Sequence, residues 1–91
     1  MIRVVFLRRF DRSMSCLSVD ERAQARRALE RLLDYFSGGP KPIGLGLRKL
    51  HGAFWELRLS LAYRIVFQLE RDLATFVLVG DHDEIRRFLS R

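Results

Sequence analysis

The side chains in this sequence that suit phosphate chemistry lie in two adjacent apolar segments. Glu56 and Arg58 are in the first segment, and Arg64 is in the second. Cleavage of RNA needs a base for the ribose 2′-hydroxyl, an acid for the leaving oxygen and cations that stabilise the phosphorane. Arginine binds phosphate through two parallel hydrogen bonds from its planar guanidinium group. The arginines are therefore candidate phosphate ligands, and Glu56 is a candidate base.

Further candidates lie near the ends of the neighbouring segments. His82 follows the last apolar segment and is a candidate base or acid, because histidine titrates near neutral pH. The candidates for nucleic-acid binding are basic or aromatic: Arg48, Lys49, His51, Tyr63 and Arg86. One cysteine and two distant histidines do not form a zinc site, and the glycines of residues 44–46 lack phosphate-loop spacing, so we expect no metal and no cofactor.

The two segments that carry Glu56 and the arginines are predicted to form a β-hairpin, with strands over residues 54–59 and 62–70. Directly paired residues in an antiparallel hairpin have a constant number sum. A loop of three residues keeps Leu57 and Ile65 on one buried face and places Arg58 opposite Arg64. Like charges directly opposite each other are destabilising, so this pair needs an anion. Either Glu56, as a salt-bridge partner, or a bound phosphate can supply it.

The first half of the chain is predicted to contain a strand and two helices. Residues 1–7 are apolar and partly β-branched, which favours a strand, and the apolar residues of 7–17 recur at helical spacing. Ser18 and Glu21 have the spacing of a capping box, which predicts the start of a longer helix. That helix carries an apolar stripe, ends at the glycines of residues 38–39, and presents a row of arginines that we expect to be solvated. The stripe consists of Ala25, Leu29, Leu32, Leu33 and Phe36, and the row of Arg22, Arg26, Arg27 and Arg31.

The second half is predicted to be mostly strand. After a loop over residues 41–46, a strand is expected within 45–50, followed by the hairpin. Residues 73–79 are apolar on both faces, which is typical of a central strand. Asp81 and Glu84 repeat the capping-box spacing and predict a short C-terminal helix. The predicted order is β-α-α-β-β-β-β-α, an α+β fold.

The composition limits the partners and the compartment. The 91 residues are expected to form one domain, 1–91, and the net charge of +6 favours an acidic partner. There is no apolar run of membrane-spanning length, and the apolar start is too short for a signal peptide. The one cysteine, Cys16, excludes an internal disulfide and favours the cytoplasm. We expect Cys16 to be a buried packing residue.

The run LRKLHGAFWELRLSLAYRIVFQLE, followed by an apolar strand and VGDHDEIRRFL, resembles the RelE/ParE superfamily of toxins from bacterial type II toxin–antitoxin modules. The resemblance implies a helical hairpin and a short C-terminal helix packed on a twisted, mainly antiparallel sheet. It also implies a concave basic face, which in the RelE-like branch enters the ribosomal A site and cuts mRNA. The lysine pair of the founding branch has no match here, and Phe88 stands where that branch has a tyrosine.

The resemblance also implies roles for individual residues. Arg64 matches the arginine that supports the scissile phosphate, and His82 matches a histidine that transfers a proton in some members. Glu56 matches, loosely, a carboxylate base of other members. Arg58 and Lys49 fall where basic residues help to bind RNA.

Three functions follow from the resemblance. The first is a ribosome-dependent mRNA endonuclease, neutralised by an acidic, partly disordered antitoxin in a toxin–antitoxin hetero-oligomer; its partners are the antitoxin, the ribosome and mRNA, with no membrane. The second is a ParE-like inhibitor of DNA gyrase. The third is a catalytically inactive toxin fold that only binds a partner. The histidine after the last strand favours the first over the second.

Overall fold

The computed structural model describes residues 2–41, 44 and 46–90. The elements follow the predicted order: β1 (Arg3–Phe6), α1 (Arg8–Ser15), α2 (Val19–Phe36), β2 (Leu47–Lys49), β3 (Phe54–Arg58), β4 (Tyr63–Glu70), β5 (Leu73–Asp81) and α3 (His82–Leu89). The α+β class is therefore confirmed. Met1 of the predicted first strand lies outside the described residues. So do Pro42 and Ile43 of the predicted loop, and Leu45, at which the strand predicted within residues 45–50 could begin. None of the described helices is long and apolar enough to cross a membrane.

The five strands form one sheet in the order β1-β5-β4-β3-β2. β1 is parallel to β5, and all other neighbours are antiparallel. β5 lies between β1 and β4, and its residues are buried on both faces of the sheet, as its apolar sequence predicts. The first and the last strands of the chain therefore pair with each other.

One β-bulge interrupts the pairing of β4 with β5. Val66 is opposite Leu78 but Phe67 is opposite Phe76, so Val77 has no counterpart in β4. An extra residue reverses the faces on which the following side chains lie. Before the bulge Phe76 faces the core under α1 and α2, and after it Val79 does.

The main core lies between that face of the sheet and helices α1 and α2. Phe10 of α1 and Leu32 of α2 pack against Leu57, Ile65 and the aromatic residues of β4 and β5. Complete burial of each large apolar side chain contributes roughly 1.5–3 kcal/mol. The apolar stripe of α2 therefore faces the sheet, as its helical spacing predicts.

The corner between α1 and α2 is fixed by polar contacts. Ser18 Oγ accepts from the N–H of Glu21 at 3.1 Å, and Glu21 Oε1 accepts from the N–H of Ser18 at 2.9 Å, which confirms the capping box. The expectation of a purely solvated arginine row is wrong for Arg22. Its guanidinium group donates to the carbonyl oxygens of residues 14, 15 and 17, because the last carbonyls of α1 lack partners within that helix.

Two residues at the C-terminal end of α1, Cys16 and Ser13, have surroundings that the sequence did not predict. Cys16 is exposed, so its expected burial is wrong: it caps the end of α1, and the buried position at this corner is taken by Leu17. Ser13 Oγ accepts from the N–H of Val79 at 2.9 Å. Since β1 ends at Phe6, this hydroxyl takes the place of the absent neighbouring strand.

The opposite face of the sheet has a smaller core under α3. Ile85 packs against Val66 and Leu78, and the ring of Phe54 meets that of Phe88 edge-on at 5.4 Å. Asp81 caps α3, with its carboxylate accepting from the N–H of Glu84 at 2.9 Å, as predicted. α3 covers β4 and β5.

Candidate functional site

The hairpin has the predicted register. Arg58 is opposite Arg64, and Leu57 is opposite Ile65 on the face of the main core. The N–H of Leu59 donates to the carbonyl of Tyr63 at 3.0 Å and closes a loop over residues 60–62. The two arginines are therefore cross-strand neighbours on the α3 face.

A row of residues across the sheet places a glycine on each side of the arginine pair. Gly46 lies opposite Arg58, whose N–H donates to its carbonyl at 3.0 Å, and Gly80 lies opposite Arg64. Gly46 has a φ of 75°, and a Cβ atom there would lie 3.0 Å from Cβ of Arg58. A side chain at Gly46 would therefore be strained and would crowd Arg58. The two glycines leave the arginines as the only long side chains of this row.

Glu56 anchors the site from the adjacent row. Its side chain is 6% exposed, and each carboxylate oxygen accepts from a different arginine. Oε1 is 2.8 Å from Nη2 of Arg48, and Oε2 is 2.8 Å from Nε of Arg64. A carboxylate this deeply buried needs such charge-assisted bonds to offset its lost hydration. The predicted salt bridge is thus present, with Arg48 rather than Arg58 as the second partner.

The two central arginines differ in their surroundings. The side chain of Arg64 is 18% exposed and is fixed by Glu56, whereas Arg58 is exposed and forms no ion pair with the described residues. Both border a cleft of about 240 Å³, together with Gly46, Leu47, Arg48 and Glu56. Three arginines and one glutamate give this cleft a formal charge of +2. It is therefore suited to a phosphate group.

The structure places His82 and Arg86 on α3, and neither is among the described residues that line the cleft. His82 is the first residue of α3, exposed, and two positions beyond Gly80. Arg86 is exposed and lies 3.8 Å from a carboxylate oxygen of Asp83. Both lie on the helix that covers the same face of the sheet as the arginine pair.

The remaining predicted residues divide between the two faces. Arg48 faces the cleft, but Lys49 pairs with Trp55 on the other face, and His51 is exposed in the turn between β2 and β3. Tyr63 also belongs to the other face. Of the predicted site residues, the structure brings together Arg48, Glu56, Arg58 and Arg64 in the cleft. The other candidates do not line it.

Tyr63 is linked to the start of α2 rather than to the arginines. The negative charge of Glu21 is the main cause that raises the pKa of Tyr63, with smaller contributions from burial and from Asp81. The hydrogen bonds with Ser18 lower the pKa of Glu21. In addition, Nε2 of Gln24 donates to the carbonyl of Leu59 at 2.6 Å. These contacts hold the hairpin loop against α2 and thereby position the strands that carry the arginines.

A larger cavity, of about 400 Å³, lies on the opposite face between α2 and the sheet. Its lining is mainly apolar and aromatic, and includes Phe36, Trp55 and Phe67. Among its described lining residues Lys41 is the one charged group, and there is no carboxylate or imidazole. The smaller, charged cleft is therefore the better candidate for chemistry.

Sequence reasoning did not identify Gly46 and Gly80 as site residues. Each is recognisable only once the register across four strands is known, because each lies in a different segment from its arginine neighbour. For Gly46 the only sequence signal is that a glycine directly precedes β2, the strand that comes before the hairpin with the paired arginines.

No model of a protein family matches the chain, and no curated protein matches its sequence. Solved structures with a similar fold include the RelB–RelE antitoxin–toxin complex from Methanococcus jannaschii, with a TM-score of 0.72 and 16% identity over 92% of this chain and 96% of that chain. The E. coli DinJ–YafQ complex gives a TM-score of 0.69 and 13% identity over 93% and 98%. The archaeal RelE–RelB complex from Pyrococcus horikoshii OT3 gives a TM-score of 0.63 and 16% identity over 88% of this chain and 93% of that chain. The chain therefore has the fold of the RelE-like toxins.

Proposed function

We propose that this protein is the toxin of a type II toxin–antitoxin system and that it cleaves mRNA on the ribosome without a metal ion. One observation carries the proposal: two arginines lie side by side in a cleft with a formal charge of +2, and a buried carboxylate fixes one of them. Glu56 neutralises only part of the positive charge, and Arg58 has no carboxylate partner among the described residues, which supports binding of a phosphate group.

In the proposed reaction the ribose 2′-hydroxyl attacks the adjacent phosphorus and the bond to the 5′-oxygen of the next nucleotide breaks. The products are a 2′,3′-cyclic phosphate and a 5′-hydroxyl. Arg58 and Arg64 bind the non-bridging oxygens, whose negative charge grows in the phosphorane. The 2′-hydroxyl loses a proton and the leaving 5′-oxygen gains one; His82 carries out one of these transfers and water the other. The exposed position of His82 at the start of α3 allows an RNA strand to approach it. Arg48, His51 and Arg86 contact the RNA backbone.

The proposed partners are an acidic antitoxin protein, the ribosome and mRNA, all of them cytoplasmic. The net charge of +6 supports both an acidic protein and RNA as partners. The similar folds include the toxins of RelB–RelE and DinJ–YafQ complexes, which supports an antitoxin in a toxin–antitoxin hetero-oligomer.

The test is induced expression in bacteria, followed by mapping of mRNA 5′ ends and by a gyrase supercoiling assay on the purified protein. We expect growth arrest with cuts confined to translated frames. The Arg58→Ala variant is the matched control: it should lose cleavage and stay folded, because Arg58 is exposed and unpaired among the described residues. Trapped gyrase–DNA complexes without mRNA cuts would replace the proposal with gyrase inhibition. Absence of both effects would indicate a toxin fold that only binds a partner.

A further inference from the structure

The buried carboxylate of Glu56 has both of its oxygens engaged. Arg48 donates to one oxygen and Arg64 to the other, each at 2.8 Å. To receive a proton from a 2′-hydroxyl, Glu56 would have to present the remaining lone pair of one of these oxygens to the substrate. With 6% of its side chain exposed, it has little surface to present.

The contact with Arg64 is made through Nε, at the inner edge of the guanidinium group. Among the described residues, Glu56 is the one carboxylate that pairs with Arg64. Because Arg48 contacts the other oxygen of Glu56, the carboxylate is shared between two arginines and is not devoted to a two-bond fork with Arg64 alone. Arg64 also borders the cleft, where the terminal nitrogen atoms of its guanidinium group can meet a ligand.

We infer that Glu56 is a positioning residue: it holds Arg64 by Nε and directs the terminal nitrogen atoms towards the phosphate, and it does not act as the base. The inference deepens the proposed function and, as a statement about catalysis, rests on it. As a statement about anion binding it is independent of mRNA cleavage.

The effect of Glu56→Ala on phosphate affinity distinguishes a positioning role of Glu56 from a simple effect of net charge, because the two predict changes of opposite sign. Replacing Glu56 by a neutral residue raises the formal charge of the cleft from +2 to +3. If only net charge governs anion binding, Glu56→Ala binds phosphate more tightly than the unmodified protein. If Glu56 positions Arg64, Glu56→Ala binds phosphate more weakly despite the added positive charge. Removing the outer-shell partner of a metal ligand typically costs about 10–100-fold, and we expect a loss of at least about tenfold here.

The probe is inorganic phosphate, titrated calorimetrically into the full chain at low ionic strength. Glu56→Gln is the matched variant, because its amide oxygen can still accept from Nε of Arg64 while its charge equals that of Glu56→Ala. We expect Glu56→Gln to bind phosphate at least as tightly as the unmodified protein, and Glu56→Ala to bind it as weakly as Arg64→Ala. The exchange rate of the Arg64 Nε–H, followed by nitrogen-15 NMR, should rise in Glu56→Ala and stay low in Glu56→Gln.

Cleavage on programmed ribosomes separates positioning from base catalysis. As a positioning residue, Glu56 leaves the pH–rate profile of Glu56→Gln unchanged in shape, and this variant retains most of its activity. As a base, its removal abolishes the acidic limb of that profile and costs about 10²–10⁴-fold in either variant. Tighter phosphate binding by Glu56→Ala, or loss of the acidic limb in Glu56→Gln, would overturn the inference.

If the unmodified protein cuts no mRNA, the proposed reaction fails while the phosphate and NMR measurements still decide the role of Glu56. If Glu56→Ala does not fold, Glu56→Gln decides it alone, because loss of phosphate binding in that variant contradicts the inference.

Discussion

Arg58 and Arg64 have the same charge and are direct neighbours, but the structure predicts different consequences when each is replaced by alanine. Removing one phosphate-binding group costs roughly 2–4 kcal/mol of transition-state stabilisation. At 1.36 kcal/mol per tenfold this equals a rate reduction of about 30- to 900-fold, which we expect for both variants. Stability separates them. Arg58 is exposed and forms no ion pair within the described part of the chain, so Arg58→Ala should change the free energy of unfolding by less than about 0.5 kcal/mol.

Arg64→Ala removes the partner of one oxygen of Glu56, whose side chain is 6% exposed. An unsatisfied buried acceptor costs about 1–3 kcal/mol, and Arg48 still pairs with the other oxygen, so we expect a loss of that size. The two quantities are measured by single-turnover cleavage on programmed ribosomes and by urea unfolding followed through the fluorescence of Trp55. Equal stability of the two variants would refute the anchoring role of Glu56. Cleavage by Arg58→Ala within about threefold of the unmodified rate would refute the phosphate-binding role of the pair.

His82→Gln should slow single-turnover cleavage by about 10²–10⁴-fold at an unchanged melting temperature, since His82 is exposed; an unchanged rate would contradict proton transfer. Ser13→Ala deprives a β5 N–H of its acceptor and should lower the free energy of unfolding by about 1–3 kcal/mol in urea, whereas Ser15→Ala, on the exposed end of α1, should have little effect. Glu21→Gln should lower the pKa of Tyr63 towards its ordinary value of 10.0, measured by absorbance of the phenolate in a background without the other tyrosine. Because the raised pKa favours the neutral phenol in the folded state, the contribution of Tyr63 to stability is present below pH 10.0 and is lost as the pH rises further, and an unaltered titration in Glu21→Gln would rule out this coupling.

The sequence was sufficient for the features that depend on local periodicity. The alternation of Leu57 and Ile65 with charged residues determines the hairpin parity, because a one-residue slip would expose the apolar set. The capping boxes are equally local, since each joins residues three apart, as in Ser18 and Glu21. The order of elements followed from these signals.

The features that sequence reasoning missed depend on contacts between distant segments. The pairing of Arg48 with Glu56 requires the register of β2 against β3, which a strand of three residues does not specify by pattern. The capture of the α1 carbonyls by Arg22 depends on the angle between two helices. An exposed arginine on a helix and an arginine that caps a neighbouring helix have the same local sequence signature, so only the tertiary structure distinguishes them.

The bulge at Val77 lets β5 carry one extra residue without disturbing the geometry of the site. Val77 and Leu78 both lie on the α3 face, so Phe76 and Val79 keep the core face and Gly80 stays opposite Arg64. A deletion of Val77 would join Phe76 directly to Leu78, restore the regular alternation of faces and leave Gly80 opposite Arg64. Two chains of this fold can therefore differ by one residue at this point of β5 and still present the start of α3 on the same side of the sheet.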